Sequence, residues 1–156
     1  RGNNIDDKMP MSISEDMGET WSYSPSPFPP IGKGKRLVLL RLQEGPLFFA
    51  SFTGATTMEV TDVTGKKRSV TGLFTAVSLD EGQTWSNIRL VSHDGPDRQM
   101  ETMNGHPFTM GISTAEPGGY MAGCQSPDGL IHLISSKQHY TFNLAWLTTP
   151  PPAVEV

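Results

Sequence analysis

The chain has 156 residues, a formal net charge of −4 and 18% charged residues, which suits one ordinary domain and gives no basic footprint for nucleic acid. Its single cysteine excludes an internal disulfide framework and a multi-cysteine metal site, and we expect no metal and no other cofactor. No apolar run approaches the roughly 20 residues that cross a bilayer.

The chain opens with "RGNNIDDK", without an initiator Met or an apolar targeting segment. We therefore expect further residues upstream of Arg1, and any signal peptide would lie among them.

Short apolar runs follow, rich in Val, Ile, Leu and Phe and bounded by Gly, Pro, Asp and Ser, as is typical of β-strands. No segment holds a 3.6-residue period, so the sequence predicts an all-β fold. In chain order, the predicted strands cover residues 10–14, 21–24, 36–42, 47–53, 73–79, 87–92, 108–113, 120–125, 130–135 and 142–147.

An eight-residue pattern occurs twice between predicted strands, as "SEDMGETW" and "SLDEGQTW". Asp can accept hydrogen bonds from its own turn, Gly tolerates positive φ, hydroxyls can close the turn, and Trp can anchor it by burial. These roles explain a turn without any chemistry. The residues assigned to them are Ser14, Asp16, Gly18, Thr20 and Trp21 in the first copy, and Ser78, Asp80, Gly82, Thr84 and Trp85 in the second.

A degenerate third copy, "SSKQHYTF", covers residues 135–142, with Lys137 in place of the Asp and His139 in place of the Gly. About four strands separate successive copies, which is the content of one propeller blade. Residues 1–147 are therefore predicted to form a partial β-propeller, followed by a Pro-rich tail over 148–156. Residues 1–24 supply the outer half of one blade, and 36–92 and 106–147 supply two whole four-stranded blades.

About two and a half blades cannot close a ring, and closure is what protects the edges of such a sheet array. We expect the remaining blades to lie outside this chain or to come from partner chains.

The pattern S-x-D-x-G-x-T-W resembles the Asp box of the sialidase (neuraminidase, BNR-repeat) superfamily. The segments "RLVLLRLQEGPLFFASFT" and "DGLIHLISS" also look like blade strands of that family. The resemblance implies a six-bladed propeller, a glycan substrate and a secreted or periplasmic location, with structural Asp boxes away from the active site. It further implies an arginine triad for the substrate carboxylate, a Tyr–Glu nucleophile pair and an Asp acid/base.

If the boxes mark one face of the propeller, the active site belongs on the other. The loops predicted there are residues 1–7, 25–36, 54–72, 93–106 and 126–129. The arginines among them are candidates for substrate binding, because a guanidinium meets a carboxylate with two hydrogen bonds. Arg36 is the strongest candidate, ahead of Arg1 and then of Arg68 and Arg98; the alternative is that all four are solvated loop arginines.

His106 and, after it, Glu101 are the candidate acid/base residues, since both types can be tuned toward neutral pH, although an ordinary polar loop is the preferred explanation of the segment. His139 and Tyr140 fall within the third copy and are predicted to lie on the box face. The site face then holds no tyrosine, so the nucleophile is expected in a blade outside the chain. His132 and Cys124 are predicted to be core residues.

The favoured function is a sialidase-like exo-glycosidase that cleaves terminal, anionic sugars, with this fragment inactive by itself. One alternative is a polysaccharide lyase acting on uronic-acid chains, in which arginine neutralises the carboxylate and a His removes the C5 proton. Another is a non-catalytic propeller that binds carbohydrate or protein.

Overall fold

The computed structural model describes residues 4–154, and within them one short helix accompanies thirteen strands, so the all-β prediction is confirmed. The strands are β1 (Pro10–Ile13), β2 (Ser22–Pro25), β3 (Val38–Arg41), β4 (Leu47–Phe52), β5 (Met58–Thr61), β6 (Lys67–Val70), β7 (Leu73–Ser78), β8 (Ser86–Leu90), β9 (Arg98–Glu101), β10 (Pro107–Met110), β11 (Ala122–Gln125), β12 (Ile131–Ile134) and β13 (His139–Phe142), and the helix is α1 (Leu144–Thr148).

A four-stranded antiparallel sheet in the order β3-β4-β7-β8 lies at the centre of the described structure. It contains the four strands predicted within residues 36–92. The connection between β4 and β7 also carries a hairpin, β5-β6, that the sequence analysis missed. Asp62 begins its turn and accepts the backbone N–H groups of Thr64 at 2.9 Å and Lys66 at 3.0 Å.

This central sheet is buried on both faces. Phe48, Ala50 and Phe52 of β4 pack with apolar residues of β11-β12-β13, including Ile131 and Leu133. The alternate residues Phe49 and Phe74 point the other way, into a cluster with Met9, Phe28 and Trp85. Successive strand residues face opposite sides of a sheet, so two apolar layers require nearly continuous hydrophobic strands, which "LFFASF" and "LFTAVS" provide.

A three-stranded antiparallel sheet, β11-β12-β13, covers one of these faces. The predicted strand at 108–113 does not belong to it, because β10 pairs with β9 in a separate hairpin. That hairpin turns at Asn104–Gly105, and Gly105 has a positive φ of 75°. The predicted strand at 142–147 was wrong: β13 ends at Phe142, and the Asn143 side chain caps α1 by accepting the N–H of Trp146 at 2.9 Å.

The predictions for Cys124 and His132 as core residues were also wrong. Cys124 and His132 are cross-strand partners on the outward face of this sheet, where Cys124 is exposed and His132 is half-buried. The inward face is formed instead by the alternate residues Ile131 and Leu133, both fully buried.

The ends of the two sheets can be compared because β3 and β11 run side by side and parallel, bridged at Arg36 and Tyr120. In the central sheet, the turns 42–46 and 79–85 lie at one end, called here the Asp-box end. The start of β3 and the long connection 53–72 lie at the other, called the cleft end. Since β11 follows the direction of β3, the turn 126–130 lies at the Asp-box end and the turn 135–138 at the cleft end.

Hydrogen bonds between the sheets agree with this assignment. Gln43, at the Asp-box end, donates its N–H to Gln125 Oε1 at 2.7 Å and its side-chain amide to Ser126 O at 2.9 Å. At the cleft end, Arg36 N–H, before β3, donates to Gly119 O, before β11, at 3.1 Å. Within the three-stranded sheet, Tyr120 N–H donates to Ser136 Oγ of the turn 135–138 at 3.0 Å. The prediction that loop 126–129 shares a face with Arg36 was therefore wrong.

The first Asp box forms a closed turn between β1 and β2. Asp16 accepts the backbone N–H of Thr20 at 2.8 Å and its hydroxyl at 2.5 Å. Ser14 Oγ donates to Asp16 at 2.8 Å and accepts the N–H of Gly18 at 2.7 Å. The hydrogen bonds, led by those from Thr20, lower the pKa of Asp16 to about 2. These polar side chains therefore close the turn through hydrogen bonds with one another and with its backbone, and their purely structural role stays a prediction.

The second box repeats the same bonds between β7 and β8. Asp80 accepts from Thr84 at 2.8 and 2.5 Å, and Ser78 Oγ accepts the N–H of Gly82 at 2.9 Å. The two tryptophans differ. Trp85 packs against Phe28 and Phe49, with ring centroids 5.2 and 5.6 Å away. Trp21 is 63% exposed and was wrongly predicted as a buried anchor.

The third copy does not form a box. Its turn is short, because β13 begins at His139, and Ser135 Oγ accepts the N–H groups of Lys137 at 3.4 Å and Gln138 at 3.1 Å. Residues 139–142, which were aligned with the second half of a box turn, belong to β13 instead. His139 and Tyr140 therefore lie at the cleft end of the sheet.

We expect Asp80→Ala to lower the melting temperature at neutral pH. The free energy of unfolding of the variant should then decrease less on acidification than that of the parent. Hydrogen bonds from Thr84 hold the pKa of Asp80 below its ordinary value, so the ionised carboxylate stabilises the folded protein. This stabilisation is complete above the unfolded-state pKa and is lost as pH falls through the lower folded-state pKa. Urea unfolding across the acid range measures both effects, with Thr84→Ser as the control that keeps the hydroxyl donor. An Asp80→Ala protein with the parent stability at neutral pH would contradict the structural role.

Candidate functional site

Arg36 lies at the cleft end, immediately before β3. Its N–H donates to Gly119 O at 3.1 Å, and its guanidinium carbon lies 5.2 Å from the centroid of the Tyr120 ring. The side chain is exposed, and no carboxylate among the described residues forms an ion pair with it. Stacking on Tyr120 orients the guanidinium while leaving its donors available for a ligand.

Beside Tyr120 is a cleft of about 520 Å³, called here the basic cleft. Its basic lining residues are Lys33, Lys35 and His106, and no carboxylate lines it. Lys35 lies flat over Gly118, where a β-carbon would come within 2.7 Å of Lys35 Cε. In a chain with 16 acidic residues, a cleft lined only by basic and neutral groups favours an anionic ligand. The remaining lining residues are Gly34, Thr102, Met103, Asn104, Pro117, Gly118, Gly119, Tyr120 and Ser136.

His106 reaches this cleft from the turn of the β9-β10 hairpin. Its backbone N–H donates to Thr102 Oγ1 at 3.2 Å, which fixes the turn, and the imidazole is exposed. Arg98 begins β9 at the other end of the same hairpin and does not line the cleft. Arg1 lies outside the described residues. The structure therefore brings Arg36 and His106 to one region and leaves Arg98 apart.

Glu101 ends β9 and forms an exposed ion pair with Lys137, with Nζ 2.5 Å from its carboxylate. The hydrogen bond and charge of Lys137 lower the pKa of Glu101. Its carbonyl also accepts the side-chain amide of Gln138 at 3.0 Å, so Glu101 joins the hairpin to the turn 135–138. A carboxylate held ionised in this way suits positioning better than proton donation.

Behind the cleft lies a buried carboxylate that the sequence analysis did not identify. Glu116 is 0% exposed and accepts two hydrogen bonds, from Tyr140 Oη at 2.7 Å and from Ser135 Oγ at 2.8 Å. Burial raises the pKa of Glu116, against the opposing effect of both hydrogen bonds. Burial and the neighbouring Glu116 charge also raise the pKa of Tyr140, so its hydroxyl is protonated at rest.

The Tyr140–Glu116 pair lies at the cleft end of the three-stranded sheet. Chain neighbours connect it to the basic cleft, since Pro117 and Ser136 line that cleft and adjoin Glu116 and Ser135. The expectation that Tyr140 lies on the box face was wrong, because the third copy was aligned as a box when it is a shorter turn. Only the sequence "AEP", an isolated Glu between Ala and Pro ahead of a strand, could have pointed to Glu116.

The ring of Tyr140 lines a second cleft of about 470 Å³ along the edge of β13. His93, His139 and Trp146 are among its other lining residues, and no carboxylate lines it. Arg89 packs beneath Trp146, with its guanidinium carbon 4.0 Å from the indole centroid, and is paired with Asp94. Because Arg89 is buried, this cation holds α1 on the sheet and leaves the cleft wall aromatic.

Within residues 4–154 no helix is long and apolar enough to cross a membrane. Searches of protein-family models, curated proteins and solved structures found no match to this chain.

Proposed function

We propose that this chain forms part of a sialidase-type β-propeller and belongs to a secreted or periplasmic exo-glycosidase that cleaves terminal anionic sugars. The observation that carries the proposal is the Tyr140–Glu116 pair, with its buried carboxylate 2.7 Å from the phenol oxygen. A Tyr–Glu pair is the nucleophile that the resemblance to sialidases implies. It lies at the end of the sheets opposite the Asp-box turns, as the same resemblance requires.

The sheet arrangement supports the propeller part of the proposal. The β1-β2 hairpin, the central sheet and the three-stranded sheet follow one another as layers, with an apolar cluster on each face of the central sheet. Strands β3 and β11 run parallel, as the innermost strands of neighbouring blades do. Under this proposal, β3 and β11 are the innermost strands, and the second blade starts at β11.

The proposed mechanism uses Tyr140 as nucleophile and Glu116 as its base. As Tyr140 Oη attacks the anomeric carbon, the phenol proton passes to Glu116, whose raised pKa makes it a stronger proton acceptor than an ordinary glutamate. The bond to the leaving oxygen breaks, and that oxygen takes a proton from an acid, for which His106 remains the candidate. Water then attacks the anomeric carbon and gives a proton to the same His106, while the bond to Tyr140 Oη breaks and Tyr140 recovers its proton from Glu116. Arg36 and the basic cleft hold the anionic group of the sugar or of its neighbour.

A second candidate function, a uronate lyase, is favoured by the basic cleft itself. His106 and Tyr120 line it together with two lysines, and no carboxylate does. In a lyase, cations neutralise the uronate carboxylate, a His removes the C5 proton, and the O4 leaving group takes a proton from a second group such as Tyr120.

The products distinguish the two chemistries. We expect the protein expressed from the full reading frame that encodes this chain to release free sugar from sialoside or uronide substrates without forming an unsaturated product. Tyr140→Phe should abolish that release. Its control is His93→Ala, which alters the second cleft, lined by the Tyr140 ring, without removing either member of the Tyr–Glu pair. An ultraviolet-absorbing unsaturated product that needs His106 and survives Tyr140→Phe would establish the lyase instead. Glycan binding without turnover would indicate a non-catalytic propeller.

A further inference from the structure

Two histidines meet on the outward face of the three-stranded sheet. His132 of β12 and His139 of β13 stack with ring centroids 5.4 Å apart and an interplanar angle of 21°. His132 Nδ1 and His139 Nε2 are 3.2 Å apart. Residues alternate along β13, so His139 and Tyr140 point to opposite faces of the sheet. The His139 side also borders the second cleft, but neither histidine has a role in the proposed catalysis.

A hydrogen-bonded chain fixes which nitrogen of His132 has a free lone pair. Ser126 Oγ lies 2.5 Å from Asp128 Oδ1 and 3.1 Å from Leu130 O, and because a carboxylate and a carbonyl oxygen only accept, its one proton is directed to these oxygens. The contact between Ser126 Oγ and His132 Nε2 at 3.1 Å is then an N–H donated by the imidazole. In the tautomer with its proton on Nε2, His132 directs the Nδ1 lone pair toward His139. A carboxylate or hydroxyl on the remote nitrogen is also the usual support of a metal-binding histidine.

We propose that His132 and His139 form a binding site for a borderline divalent transition metal ion such as Zn²⁺, Ni²⁺ or Cu²⁺. Imidazole nitrogens bind Zn²⁺ at about 2.0–2.1 Å, so two of them on one tetrahedral ion lie roughly 3.3 Å apart. The pair already has this separation. The ion replaces the proton shared between the two nitrogens and lies to one side of the line that joins them, which requires each ring to turn about its Cβ–Cγ bond.

The proposed site has two protein ligands and open positions. Within residues 4–154, no group of three or more His, Cys, Asp or Glu side chains is arranged to hold a metal ion. Solvent or a donor group of a bound ligand therefore completes the coordination. Cys124 is the exposed cross-strand neighbour of His132, and a thiol is the alternative metal-binding group on this face.

Titration calorimetry of the 156-residue chain with Zn²⁺ tests the proposal. We expect one ion to bind per chain, and either His132→Ala or His139→Ala to weaken its affinity by at least roughly tenfold. Ser126→Ala should weaken it by less, because that residue only orients the ring. The double variant His132→Ala/His139→Ala should lose the site. Its matched control is His93→Ala/His106→Ala, which also removes two histidines but leaves His132 and His139 in place.

Three outcomes would overturn the proposal. The first is no Zn²⁺ binding by a folded parent chain, and the second is equal weakening in the control double variant. The third is binding that persists in a His132→Ala/His139→Ala protein and disappears in Cys124→Ser, which would assign the ion to the thiol. Circular dichroism of each variant verifies that the outward-facing substitutions leave the sheet folded.

Discussion

Gly72→Ala should destabilise the protein by about 3–5 kcal/mol. Gly72 begins the return from the long connection into β7 and has a φ of +111°, where an L-residue is strained. A β-carbon there would lie 2.5 Å from the carbonyl oxygen of Ala115 and 2.6 Å from its carbonyl carbon. Both contacts are with backbone, which the parallel bridge between Thr71 and Thr114 holds in place, so neither neighbour can move aside cheaply.

The matched control is Gly65→Ala, in the turn of the β5-β6 hairpin. Gly65 also has positive φ, at 82°, but a β-carbon would meet nothing within 4 Å. Its substitution should cost only the conformational strain, about 1–2 kcal/mol. Urea unfolding of both variants separates the cost of the positive φ, which both share, from the cost of the clash with Ala115, which only Gly72→Ala has. Equal destabilisation would show that the close approach of segment 113–116 to the central sheet does not exist in solution.

Under the proposed exo-glycosidase function, Tyr140→Phe and Glu116→Gln are expected to have the largest effects on activity. The phenylalanine would keep the ring and its packing but supply no nucleophile, and the amide of the glutamine could accept the Tyr140 hydrogen bond but could not take its proton. Loss of general-base assistance lowers kcat by roughly 10²–10⁴-fold, and loss of the nucleophile should cost at least as much. Ser135→Ala is the control, because it removes the other hydrogen bond to Glu116 and leaves the Tyr–Glu contact.

The measurement is kcat/KM for sugar release as a function of pH. In the proposed mechanism Glu116 must be ionised to accept the proton, and burial raises its pKa, so activity should fall with acidification at a higher pH than an ordinary glutamate would give. Ser135→Ala should displace that limb further upward, because it removes a hydrogen bond that stabilises the carboxylate. A Tyr140→Phe protein with parental kcat/KM would exclude this pair from the reaction.

The same carboxyl group affects stability with the opposite sign to the Asp boxes. Because its folded-state pKa is raised, Glu116 keeps its proton in the native protein at pH values where the unfolded chain has released it. The stabilisation that this gives is present at low pH and is lost as pH rises from the unfolded-state pKa through the folded-state pKa. Asp16 and Asp80 contribute in the reverse direction, since their pKa values are lowered.

Local sequence patterns were enough where the structure depends on neighbours along the chain. The two Asp boxes close through hydrogen bonds between residues two to four positions apart, so "S-x-D-x-G-x-T" contains nearly everything that the turn requires. The strands of the central sheet were also predictable, because continuous apolar runs bounded by turn residues leave few alternatives to a buried strand.

The partners of the later strands required tertiary structure. The run "PFTM" suits a strand of a larger sheet as well as a hairpin arm, and pairing with β9 decided between them. The third copy, "SSKQHYTF", was predicted to be a box turn because it resembles the other two in sequence, but β13 begins inside it, at His139. That single shift placed Tyr140 at the wrong end of the sheet and concealed the Tyr–Glu pair.

The order of the amino acids was therefore sufficient for the all-β class, the four strands of the central sheet, the local turns of the Asp boxes, and the placing of Arg36 and His106 in one region. Packing was needed to bury Glu116 against Tyr140, 24 residues away along the chain. Packing also opens a cleft without carboxylates beside Arg36, and it brings two histidines of adjacent strands together. Hydrogen bonds within a turn are encoded by residue type and spacing, whereas burial and long-range pairing depend on which surfaces the packed sheets bring into contact.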